Sequence, residues 1–180
     1  MHLDKTYLKS HSPSINDNEK VNVNVSVFVK NIFDIKELHM EFKVRLQITM
    51  VWFDPRITFK NLRSKESKNI INKQEISKIW LPALFFANSN IGQKTIVDSE
   101  SNLLVRKLGN HHLNDMNEIH ENHLYKGSEN PLVLSRSYTV ALECKFELRN
   151  YPFDHQTCPI TLGIVIERGM NLFNLVIGSM

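Results

Sequence analysis

Glycine, cysteine and long apolar runs are all scarce in this sequence, and each shortage removes a class of function. Its 180 residues include six glycines, too few for the glycine-rich loops whose backbone N–H groups cradle phosphate. No nucleophile stands beside a base in a recognisable pattern and no HExxH segment occurs, so no enzyme and no cofactor are expected. The two cysteines, Cys144 and Cys158, are too far apart to be a CxxC redox or metal pair. A spanning helix needs about 18 or more consecutive apolar residues, and the most apolar stretch, Pro159 to Met180, is broken by Glu167, Arg168 and Asn171. The opening MHLDKTYLKSHSPS lacks the apolar run and small-residue cleavage site of a secretory leader. Read literally, the chain would be neither exported nor membrane-bound.

Charge of one sign is also lacking. Lysine and arginine number 22 against 19 aspartates and glutamates, and they are scattered rather than clustered, so no nucleic-acid partner is expected. A hydrophobic fraction of 42% with 23% charged residues fits one folded domain with a sizeable core.

What is present is β-periodicity. After a polar opening that reads as a flexible lead-in or short helix over residues 1–20, Val21, Val23, Val25, Val27 and Val29 alternate with mostly polar or small residues, the pattern of a half-buried strand. The segment NIFDIKE reads as a turn. Alternation then resumes with Phe42, Val44, Leu46, Ile48, Met50 and Trp52 on one face and Lys43, Arg45, Gln47 and Thr49 on the other. Asp54-Pro55 ends that strand. Lys60 to Lys78 reads as loop with one helical turn, and Ile79 to Phe86, interrupted by Pro82, as an irregular apolar segment against a sheet. Residues around 96–108 and 132–142 are further strands. Many short strands without intervening helices predict an all-β, two-sheet β-sandwich.

Two side-chain groups suggest chemistry. His111, His112, His120 and His123 lie near Asp115, Glu118 and Glu121, and imidazole and carboxylate are good zinc ligands. His120 and His123 could share a helical face, but the spacing matches no established zinc motif, so no metal is expected. Cys144 and Cys158 enclose 13 residues rich in turn formers. A disulfide there would contribute about 3 kcal/mol and would require an oxidising compartment. Two buried thiols in a cytosolic protein fit the same spacing.

The segment Cys144-KFELRNYPFDHQT-Cys158 resembles the signature loop of Cys-loop, pentameric ligand-gated ion channels, with Tyr151-Pro152-Phe153-Asp154 as its core and Gln156-Thr157-Cys158 as its close. Trp52-Phe53-Asp54-Pro55-Arg56 is similar to the family's W-x-D-x-R motif, and Ile79-Trp80-Leu81-Pro82 to its W-x-P motif. The resemblance covers roughly residues 20 to 160, with an invertebrate, orphan-type character. It implies a Cys144–Cys158 disulfide and an extracellular β-sandwich at the plasma membrane, set in a pentamer of like or unlike subunits. The partners implied are those subunits and a small-molecule transmitter.

By position, the resemblance places Gln47 and Thr49 on one complementary-face strand and Ser135 and Ser137 on another, where hydroxyls could donate to a carboxylate. The aromatic often found beside Gln47 is absent. Phe85 falls where many subunits place a principal-face aromatic, although Ala83 replaces the aspartate that usually follows the proline. Tyr151, Pro152, Phe153 and Asp154 become the tip that couples the domain to the pore. Trp52, Asp54, Arg56, Trp80 and Pro82 become structural. The resemblance ends after Leu162, so the expected organisation is a sandwich over 21–162 and a divergent, truncated tail over 163–180, a C-terminally incomplete copy. A soluble secreted binding protein with the same sandwich is the other reading.

Overall fold

Strand alternation organises the chain because the β-branched and aromatic residues on one side of each strand all need burial. In the computed structural model, residues 1–13, 21–90, 95–97, 102–110, 112–113, 123–149, 153–166 and 169–177 are described. Among them run twelve strands: β1 (His2–Leu3), β2 (Asn24–Lys36), β3 (Glu41–Trp52), β4 (Ile57–Lys60), β5 (Ala83–Phe86), β6 (Ile96–Val97), β7 (Asn102–Val105), β8 (His112–Leu113), β9 (His123–Lys126), β10 (Leu132–Glu143), β11 (Cys158–Ile166) and β12 (Gly169–Ile177). Two 3-10 turns, Glu37–His39 and Glu66–Lys68, and one short α-helix, α1 (Lys73–Ile76), are also described; α1 is capped by Asn72, whose side chain accepts from the Glu75 N–H at 2.8 Å. No helix among the described residues is long and apolar enough to cross a membrane.

The expected alternation in β3 is present in full: Phe42, Val44, Leu46, Ile48, Met50 and Trp52 are each 0% exposed, while Lys43, Arg45, Gln47 and Thr49 are half-buried or exposed. Burying a side chain of this size contributes about 1.5–3 kcal/mol. A slip of one residue would turn all six to the other face, so the register is strongly fixed.

The chain divides into two units, Met1–Ser26 with Thr49–Leu81 and Ser101–Ser135, and Val27–Ile48 with Pro82–Glu100 and Arg136–Met180. In the first, an antiparallel sheet runs β1-β4-β9-β8, with Leu3 opposite Ile57 and Phe59 opposite Tyr125. There β7 also pairs with the start of β10, Leu103 opposite Leu134. Its core includes Trp52, Ile57, Ile79, Trp80, Leu103 and Leu132, and the indoles of Trp52 and Trp80 meet edge to face with centroids 6.2 Å apart. The opening residues, expected as a lead-in or short helix, contribute strand β1.

A five-stranded sheet runs β2-β3-β10-β6, with β7 on β10, and in the second unit a further sheet runs β12-β11-β5. Phe86 and Tyr138 contact edge to face at 5.7 Å in its core. Two expectations are corrected here. The NIFDIKE segment is not a turn, because β2 runs on to Lys36 and the chain turns at Glu37–His39. Asp34 adopts φ 52° within the strand, a conformation aspartate tolerates better than most residues. Its carboxylate bonds Lys43 Nζ at 2.7 Å. Likewise Ala83–Phe86 is a regular strand paired with Val165–Leu162 rather than an irregular segment. Pro82 stands just before it, where no ladder donor is lost. Beyond Leu162, β11 and β12 pair continuously from Cys158↔Ile177 to Ile166↔Gly169.

Candidate functional site

The candidate binding residues fall at the half-buried positions of strands β3, β5 and β10. Within the first unit, the hydroxyls of Thr49 on β3 and Ser135 on β10 lie 3.2 Å apart, part-buried. Each can act as donor or acceptor. Within the second unit, Ser137 accepts from Lys30 Nζ at 3.0 Å. That brings a cation beside a hydroxyl, a pairing suited to a carboxylate. Gln47 is half-buried on β3. Phe85 sits opposite Gly163 on β11, and a Cβ added at Gly163 would lie 2.2 Å from the Phe85 ring. Its ring therefore rests on backbone that only glycine leaves clear.

Sequence reasoning did not single out Lys30 or Tyr7. Lys30 carried a signal, its place on the polar side of the valine alternation. Tyr7 is the lone aromatic of a polar opening, and the structure builds a corner around it. Asp54, 1% exposed, accepts from Arg56 Nε at 2.9 Å and Nη2 at 2.8 Å and from the Tyr7 hydroxyl at 3.1 Å. Tyr7 Oη in turn accepts from the Trp80 N–H at 2.8 Å. The Arg56 guanidinium lies 4.4 Å from the Tyr7 ring centroid and donates to His11 O at 2.9 Å. This fork pins residues 7–11 to the end of β3.

Burial, followed by the charge of Asp54, raises the Tyr7 hydroxyl from 10.0 to about 12, despite the opposing bond from Trp80. A folded-state value above the unfolded one stabilises fully below pH 10, and that contribution is lost as pH rises through 12. The stability difference between wild type and Tyr7→Phe should therefore shrink over this window in urea titrations at successive pH values. Parallel profiles would refute the assignment.

Further along the sequence, Cys144 and Cys158 are disulfide-bonded with Cα atoms 5.4 Å apart, which decides between the two readings of their spacing. Inside the loop, Gln156 Oε1 accepts from Glu147 N and its Nε2 donates to Glu147 O, both at 3.0 Å, and Nε2 also bonds the Asp154 carboxylate. The Cys144 N–H donates to Met40 O at 2.8 Å, fixing the loop's root to the turn after β2. Phe153 is 89% exposed. Tyr151 and Pro152 lie outside the described residues.

Residues 1–166 match the family described as the neurotransmitter-gated ion-channel ligand binding domain. The chain belongs to that family. It is a receptor class rather than an enzyme class, with an all-β fold of the sandwich type. Among curated proteins it is similar to the gamma-aminobutyric acid receptor subunit gamma-1 of Rattus norvegicus and of Homo sapiens. Each is 25% identical over 138 residues, covering 77% of this chain and 25% of the relative. The chain thus spans about a quarter of those relatives' length.

Within this ligand-binding-domain family member, Trp52, Trp80 and Pro82 are each buried. His120, like His111, lies outside the described residues. His123 opens strand β9 on extended backbone and pairs with Leu113, while the helical face it was expected to share with His120 lies outside the described residues. Among the described residues no group of three metal-ligating side chains occurs.

Proposed function

We propose that this chain is the extracellular ligand-binding domain of a neurotransmitter-gated channel subunit at the plasma membrane, holding a small transmitter against a neighbouring subunit of a pentamer. The family match over residues 1–166 carries this reading. In the first unit Thr49 and Ser135 supply paired hydroxyls to a carboxylate; in the second, Ser137 with Lys30 supplies a hydroxyl beside a cation, and Gln47 an amide. Phe85 serves the principal side. Tyr151, Pro152, Phe153 and Asp154 form the coupling tip, where a loop closed by the Cys144–Cys158 bond is stiff enough to pass a small rotation on to the pore. The relatives are named for gamma-aminobutyric acid, whose single carboxylate suits such donors, so that acid is the first ligand to try.

A hydrogen bond to a charged group contributes about 1.5–3 kcal/mol. Ser135→Ala and Thr49→Ala should therefore each weaken gamma-aminobutyrate binding by about 10–100-fold in equilibrium titrations of the secreted chain. Affinity unchanged in both variants at unchanged melting temperature would reject these roles, and a wild type that binds no amino acid would reject the ligand class.

A further inference from the structure

Asn24-Val25-Ser26 is the one Asn-x-Ser/Thr triplet in the sequence, and the structure gives it the placement that an N-linked glycan requires. It opens strand β2, where side chains two apart point to the same side. Asn24 and Ser26 are both exposed, while Val25 between them is half-buried. The acceptor amide and the hydroxyl that qualifies it thus face solvent together, and the middle residue is not proline. Strand β2 also stands at the end of its sheet order. The Cys144–Cys158 disulfide supplies an independent observation, since such bonds form in the oxidising lumen where glycans are transferred.

We infer that Asn24 is an N-glycosylation site, an inference that rests on the extracellular reading above. The donor is a polyisoprenyl-diphosphate-linked oligosaccharide. Asn24 Nδ2 forms a bond to C1 of the first N-acetylglucosamine, the bond from C1 to the phosphate oxygen breaks, and the polyisoprenyl diphosphate leaves. One amide proton is released, and nothing is oxidised or reduced. The glycan then sits at the head of an edge strand, where a bulky hydrophilic group opposes pairing with a second chain.

The test expresses the 180-residue chain behind a cleavable secretory leader in eukaryotic cells and treats the secreted protein with peptide-N-glycosidase. The expected result is a single-step mobility shift, with Asn24 converted to aspartate in the tryptic peptide. The shift should vanish in Asn24→Gln and Ser26→Ala and persist in Ser26→Thr. Ser26→Ala answers the question if Asn24→Gln is not secreted. Secreted, disulfide-bonded wild type without the shift overturns the site, as does a shift that survives both variants. Gamma-aminobutyrate titration of the same sample separates the two ideas. Binding without a glycan removes only the glycan site, and a glycan without binding removes only the transmitter reading.

Discussion

Asp54→Ala should lower the unfolding free energy by about 3–5 kcal/mol, the range for removing one partner of a buried ion pair. The alternative estimate, about 0–1 kcal/mol for a surface pair, does not apply, because the Asp54 side chain is 0% exposed and that of Arg56 only 19%. Both carboxylate oxygens are bonded by the guanidinium, and the alanine variant leaves that cation half-buried with no anion. It also removes the acceptor for the Tyr7 hydroxyl and for the Arg56 N–H at 3.1 Å. Replacing both residues should cost less than the sum of the single changes, since the stranded charge goes with its partner. Urea denaturation of the two single variants and the double variant measures this coupling. A loss under about 1 kcal/mol in Asp54→Ala, or strict additivity, would show that the corner is held by something else.

Where burial follows period two, the sequence was legible. The six core residues of β3 were read by alternation alone, because each alternate position has one environment and one residue class to match. Legibility failed where polar residues serve an exposed strand. Asn31 and Asp34 are turn formers by type, yet β2 continues through them, since an edge strand asks little of its outward side chains. It failed again at Glu41, a residue that composition would place outside. Glu41 is 4% exposed, and its carboxylate is satisfied by Lys36 Nζ and Asn90 Nδ2, each at 2.8 Å. Those partners lie 5 and 49 residues away, and no local pattern announces them.

The site divides the same way. Cys144 and Cys158 were named by spacing, and the resemblance chose between thiols and a disulfide. Thr49 and Ser135 were named by counting from motifs, yet their 3.2 Å approach joins residues 86 apart in sequence. Such an approach depends on the β3–β10 pairing and cannot be read from either strand alone. The same holds for Tyr7. Its role arises from Asp54 and Trp80, 47 and 73 residues away, and a tyrosine in a polar opening is otherwise an ordinary surface residue.

Cys144→Ser should cost about 3 kcal/mol, the chain-entropy value for a closed loop of about 15 residues. For a domain of this size that is a fall of about 6–12 °C in Tm. The two sulfur-bearing residues are 4% and 0% exposed, so some loss would follow from disturbed packing even without the bond. Reducing the wild type separates the two effects, because it breaks the link and leaves every side chain in place. If the bond acts by restricting the unfolded chain, the reduced protein should unfold to a more expanded state, and the urea m-value should rise as the midpoint falls. Cys158→Ser should then match Cys144→Ser to within the packing difference, and the double variant should be no worse than either, because the link is lost only once. Reduction that leaves both midpoint and m-value unchanged would show that the Glu147–Gln156 bonds and the Cys144–Met40 backbone bond hold the loop by themselves. The stiffness invoked for the coupling tip would then have to come from those hydrogen bonds rather than from the covalent ring.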